Sequence, residues 1–219
     1  MKQRFQSLLL TTVASLTVAG SLSACFPLLV GGAAVGALVA VDRRTSGAQL
    51  EDEGIELRAG GRLRDAFGDR VRVNVTSYNR QVLLTGEARS EQDKQAVEQL
   101  IARVDNVRAV VNEIAVMGMA PSLTQRGNDA LITGKVKASL IDAKDLQVNA
   151  FKVVTERGVV YLMGRVSERE ANRATQITRT IAGVQRVVRI FDVLSEEELQ
   201  RLSRERPAAV SPAAAAPPR

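Results

Sequence analysis

"VLLTGEARSEQDKQAVEQLIARVDNVRAVVNEIAV", Val82 to Val116, is answered by "VYLMGRVSEREANRATQITRTIAGVQRVVRIFDV", Val160 to Val193. Gly86 pairs with Gly164, Ser90-Glu91 with Ser167-Glu168, Leu100 with Ile177 and Val104 with Ile181. Val107 pairs with Val184 and Val110-Val111 with Val187-Val188, and the first copy gains one residue between its Gly and its Ser. Self-similarity of this extent marks a duplicated structural unit.

Each copy reads in the same order. A helix comes first, over Ile55 to Phe67 and again over Thr124 to Asp142, where Ile132, Val136 and Leu140 recur at four-residue spacing and mark one face. Two strands follow. Val71, Val73 and Val75 alternate with polar residues, and Asn79-Arg80 turns the chain into "QVLLTG"; "AFKVVT" turns through Glu156-Arg157-Gly158 into "VVYLMG". Ser90 and Ser167 stand as N-caps, with Asp93 and Glu170 three residues on, opening helices over Glu91 to Val104 and Glu168 to Ile181. Strands Val107 to Val116 and Val184 to Val193 close the units. The expected fold is α+β: helix, strand, strand, helix, strand, twice, each unit a three-stranded mixed sheet with both helices on one face. Gly86 and Gly164 are expected to permit the exit from strand to helix.

Composition narrows the chemistry. The chain has 219 residues, 45% of them hydrophobic, with no His, no Trp and a single Cys. That suits two small domains and leaves almost none of the side chains that do general-base, nucleophilic or transition-metal work. Glu168 and Glu170 stand two apart on a helix and point different ways, so they form no acid/base pair. No catalytic residue, metal or cofactor is expected.

The N-terminus carries Lys2 and Arg4 before the apolar run Leu8 to Ala19, the pattern of an export signal. Leu22-Ser23-Ala24-Cys25 follows, and it resembles the lipobox of bacterial lipoproteins, in which the Cys is acylated and becomes the mature N-terminus. Residues 1–24 are then a signal peptide and Cys25 the lipidation site, heading an apolar and flexible linker over residues 25–49. Within that linker, residues 26–41 are apolar but too short for a membrane span. Phe26 stands where an Asp would signal inner-membrane retention, so the resemblance implies the outer membrane. Residues 195–219 read as a short helix and a flexible tail rich in Pro and Ala.

The element order and the spacing of Gly86, Ser90, Val107 and Val110-Val111, repeated in the second copy, resemble the BON domain. The whole arrangement, lipobox included, is similar to the dual-BON outer-membrane lipoproteins, with one domain over residues 50–118 and the other over 122–194. That resemblance implies a lipid-anchored protein on the inner leaflet of the outer membrane, facing the periplasm. It also implies binding of anionic phospholipid by the first helix of the second domain, and a role in envelope integrity and at division sites, with outer-membrane assembly or division proteins as partners.

The charge agrees with a basic second domain. Leu50 to Met117 holds 10 basic and 12 acidic residues, net −2, whereas Ser122 to Leu194 holds 12 basic and 7 acidic, net +5. No aromatic stacking stripe or groove-reading helix accompanies it, so nucleic acid is not the expected partner and a phosphatidylglycerol-like head group is. If Ile132, Val136 and Leu140 face the sheet, Leu131, Lys135 and Lys137 lie off that stripe, with Lys144 just beyond the helix end. Leu131, Lys135, Lys137 and Lys144 are the candidate lipid-binding residues. The alternative function is an adaptor whose sheets dock on envelope assembly machinery, with no lipid contact beyond the acyl anchor.

Overall fold

The computed structural model describes residues 42–117 and 122–205. The signal peptide expected over residues 1–24, Cys25, the apolar run 26–41 and the Pro/Ala-rich tail from residue 206 lie outside the described residues. The first unit runs α1 (Ser46–Phe67), β1 (Val71–Tyr78), β2 (Gln81–Ala88), α2 (Glu91–Ala102), β3 (Ala109–Asn112) and β4 (Ala115–Val116). The second runs α3 (Leu123–Asp142), β5 (Phe151–Glu156), β6 (Val159–Val166), α4 (Glu168–Arg179) and β7 (Arg186–Val193), and α5 (Glu196–Glu205) follows.

In each sheet the second strand is central, antiparallel to the first and parallel to the last. The last strand of the first unit is interrupted between β3 and β4, both of which pair with β2. Ile114 causes the break: it is buried in the core, and its N–H donates to the side-chain oxygen of Asn112 rather than to β2. Ile55, Ala59 and Leu63 of α1 pack with Val97 and Ile101 of α2 on Val82 and Leu84. Ile132, Val136 and Leu140 of α3 pack with Ala171 and Ala174 of α4 on Val160 and Leu162. Both helices of each unit therefore cover one face of its sheet.

The opposite faces cover each other. Tyr78 and Leu83 from the first sheet meet Tyr161, Met163 and Ile190 from the second in a third core. Along β2 and β6 successive side chains alternate between a helix-covered core and this shared one, so both central strands are buried on both sides. Polar contacts rim the seam: Arg157 to Glu87 at 2.7 Å, Arg186 to Glu113 at 2.7 Å and Lys152 to Glu56 at 3.0 Å. The Tyr78 hydroxyl donates to the Ala150 carbonyl at 3.2 Å. The layers run helices, sheet, sheet, helices.

Two buried carboxylates hold the hairpin turns. The β1–β2 turn puts both Asn79 and Arg80 at positive φ, 51° and 66°, as a two-residue hairpin loop requires. Asp52 of α1 accepts the N–H groups of Asn79 and Arg80, each at 2.7 Å, and the Ser77 hydroxyl. Asp129 occupies the matching place on α3 and accepts the N–H groups of Arg157 and Gly158, each at 2.8 Å. Burial alone would raise the Asp52 carboxyl; the donors from Arg80, Ser77, Arg44 and Asn79 outweigh it and hold the group below the usual carboxylate range.

Gly86 does not mark the strand exit. It lies inside β2 opposite Val73, at φ 112°, and a Cβ there would sit 2.0 Å from the Arg72 carbonyl oxygen. Gly164 plays the same part against the Ala150 carbonyl, 2.4 Å from where its Cβ would be. Gly86 admits a carbonyl of the neighbouring strand itself, and Gly164 the carbonyl of the residue just before its neighbouring strand.

Ahead of α1, within the stretch read as linker, the chain straps the two units together. Arg43 is 9% exposed and pairs through both terminal nitrogens with Glu170, at 2.6 and 2.8 Å, and donates to the Arg165 carbonyl at 2.9 Å. Glu170 is also the carboxylate of the Ser167 capping box that opens α4. Arg44 turns the other way, onto Asp52 at 2.8 Å and over the Tyr78 ring at 4.2 Å.

Three outcomes follow for purified protein. Gly86→Ala lowers stability by roughly 3 kcal/mol in denaturant titration, because the strand pair must part. Arg43→Ala lowers it by about 3 kcal/mol, since Glu170 is left buried without its cation. Glu156 gives a pH signature: burial, with Glu87 and Asp129 nearby, raises its carboxyl above the ordinary value. The contribution of such a group is present below the unfolded-state pKa and lost as pH rises through the folded one. Glu156→Gln therefore raises the melting temperature at pH 7, and the gain vanishes in melts taken near pH 4.

Candidate lipid-facing helix

α3 starts at Ser122, whose hydroxyl accepts the Gln125 N–H at 3.1 Å, and its inner face is fixed by Asp129, Ile132, Val136 and Leu140. The opposite face is also apolar. Leu123, Leu131 and Ile141 are 85%, 64% and 62% exposed, and Gly127, Gly134 and Ala138 lie between them at helical spacing. Exposed Arg126 and Lys137 flank this stripe on one side and Lys135 on the other.

Of the four candidates, Leu131, Lys135 and Lys137 share this outward region of α3. Lys144 is exposed but lies past the C-cap Ala143, about 20 Å along the axis from Leu131. It lies beyond the C-terminal end of the helix. Leu123 and Ile141 are the residues the sequence reading left out. Counting along the stripe from Leu131 in steps of three and four reaches Ile141, and two steps of four the other way reach Leu123, so the signal was present.

Beside Leu131 and Lys135 lies a hollow of about 330 Å³. Its walls include Asn128, Gln185 and the Arg157–Gly158 turn, with Asp129 beneath. The Asp129 oxygens accept the turn N–H groups, and Lys135 lines the hollow together with Gln125, Asn128 and Gln185. Among the described residues no helix is long and apolar enough to cross a membrane, and no cluster of His, Cys, Asp or Glu is suited to a metal ion.

Comparison with known proteins places the chain. The BON domain model matches residues 52–118 and again 128–194. The outer membrane lipoprotein DolP of Haemophilus influenzae is 35% identical over 175 residues, covering 79% of this chain and 90% of that protein. The 21 kDa hemolysin of Actinobacillus pleuropneumoniae is 32% identical over 154 residues, 69% of this chain and 79% of its own length. Osmotically-inducible protein Y of Escherichia coli is 33% identical over 87 residues, 38% of this chain and 43% of that protein. Two domain matches that coincide with the two folded units, and a relative similar along most of both chains, establish that this chain belongs to the BON domain family, with two BON domains in tandem.

Proposed function

We propose that this chain is a non-enzymatic outer-membrane lipoprotein, anchored through acylated Cys25 on the inner leaflet and facing the periplasm, whose second BON domain binds anionic phospholipid through the outward face of α3. The similarity to an outer membrane lipoprotein supports the location. The observation that carries the lipid reading is that α3 is apolar on two opposite faces, one spent on the core and the other exposed as Leu123, Leu131 and Ile141. A solvated helix in a folded domain needs only the first.

The energetics suit a weak, reversible contact. Each large apolar side chain contributes up to about 2 kcal/mol when fully buried, and each Lys or Arg about 1 kcal/mol near an anionic surface. Lys135, beside the hollow, is the group that would meet the lipid phosphate. The lipid anchor and the α3 contact then reinforce one another, since the anchor keeps α3 at a high effective concentration near head groups. Envelope integrity, with action at division sites, is the role this attachment serves.

Flotation of residues 41–207 with vesicles tests it. Phosphatidylglycerol vesicles retain the protein at low salt and lose it at high salt, whereas phosphatidylcholine vesicles do not retain it. Leu131→Glu with Lys135→Glu weakens retention by at least about tenfold, and Ile141→Glu alone weakens it measurably. Equal retention by both lipids, or by neither, overturns the reading and favours an adaptor that holds envelope proteins.

A further inference from the structure

A second helix carries an exposed apolar stripe. On α1, Leu50 and Leu57 are 70% and 77% exposed, and Gly47, Gly54 and Gly61 recur every seven residues on the same outward side. A glycine inside a helix costs about 1 kcal/mol relative to alanine. Nothing in the fold asks for these: a Cβ at Gly47 or Gly61 would meet nothing within 4 Å, and at Gly54 only the far end of the Arg58 side chain. Gly127 and Gly134 on the outward face of α3 are equally free of neighbours.

The two stripes are complementary when α1 and α3 are laid parallel in the register of the internal repeat. Leu50 then meets Gly127, Gly54 meets Leu131, and Leu57 meets Gly134, so each projecting Leu faces a Gly on the other helix. This is the alternation that lets helices approach closely and interlock. The flanking charges agree. Positions that face one another across such a seam pair Glu53 with Lys135 and Asp65 with Lys137, both of opposite sign. All four side chains are exposed.

Within one chain the two helices cannot meet, because α1 covers the first sheet and α3 the second while the sheets face each other between them. We propose that α1 of one copy docks on α3 of a second copy, giving a head-to-tail contact. Such a contact leaves an unused α1 at one end and an unused α3 at the other, so it propagates beyond a dimer. It does not rest on the phospholipid reading, but both use Leu131, Lys135 and Lys137; lipid and a neighbouring copy therefore compete for α3.

Disulfide trapping of the full-length chain in its own membranes tests this, since Cys25 is the only native cysteine. Leu57→Cys and Gly134→Cys on one chain are expected to give an oxidised ladder, and the same two changes on separate co-produced chains only a dimer. Neither change alone is expected to cross-link, and Leu57→Glu, on the exposed face, removes the contact while leaving the melting temperature unchanged. Glu53→Lys lowers trapping about threefold, and adding Lys135→Glu restores it. Flotation separates the two readings: Glu53→Lys leaves phosphatidylglycerol binding intact, and Lys135→Glu, which restores trapping in the Glu53→Lys background, weakens phosphatidylglycerol binding in either background. No cross-link from the pair, or equal cross-linking by Leu57→Cys alone, overturns the proposal.

Discussion

β2 and β6 are buried on both faces, and the rest of the architecture answers to that. A strand whose successive residues are apolar needs cover on two sides. In each unit α1 and α2, or α3 and α4, cover one side, and Leu83, Tyr161 and Met163 on the other are covered only by the facing sheet. Pairing the sheets consumes the surfaces that a BON unit would otherwise offer to a partner. It also leaves the helices on the outside, so the outer faces of α1 and α3 carry exposed leucines and Ile141.

Charge fixes what apolar packing leaves loose. Apolar contact between two sheets tolerates sliding, but Asp52 and Asp129 tie each first helix to its own hairpin turn through paired N–H donors. Arg43 and Arg44 then join the units, one reaching the α4 capping box and the other Asp52. The strap reuses groups already committed to local structure: Glu170 caps a helix and Asp52 holds a turn. Burial disfavours the charge of both carboxylates, but their hydrogen-bond donors and the nearby arginines together outweigh it and hold both below the usual carboxylate range. The point where the chain enters the folded body is thus bound to both domains at once.

The candidate surface was partly legible. Leu131, Lys135 and Lys137 followed from removing Ile132, Val136 and Leu140 from the helix wheel, and the structure places all three outward. Leu123 and Ile141 were missed because a wheel centred on the core stripe treats everything else as solvated. Their significance shows only when exposure is known. Lys144 was counted with the others by proximity in sequence, whereas the helix ends at Asp142 and places it at the far end.

The sequence by itself determined what local chemistry determines. The repeat and the unequal charge of the halves are read from residue identities alone, and the order of elements, the Ser90 and Ser167 caps and the Asn79-Arg80 turn rest on residues within a few positions of one another. Only the tertiary structure decided that Gly86 and Gly164 admit a crossing carbonyl, that Arg43 reaches Glu170, and that the sheets face each other. Each of these joins groups that belong to different elements of the fold. Periodicity reports that a face is apolar, but what covers that face is settled only when every other apolar face has found its partner.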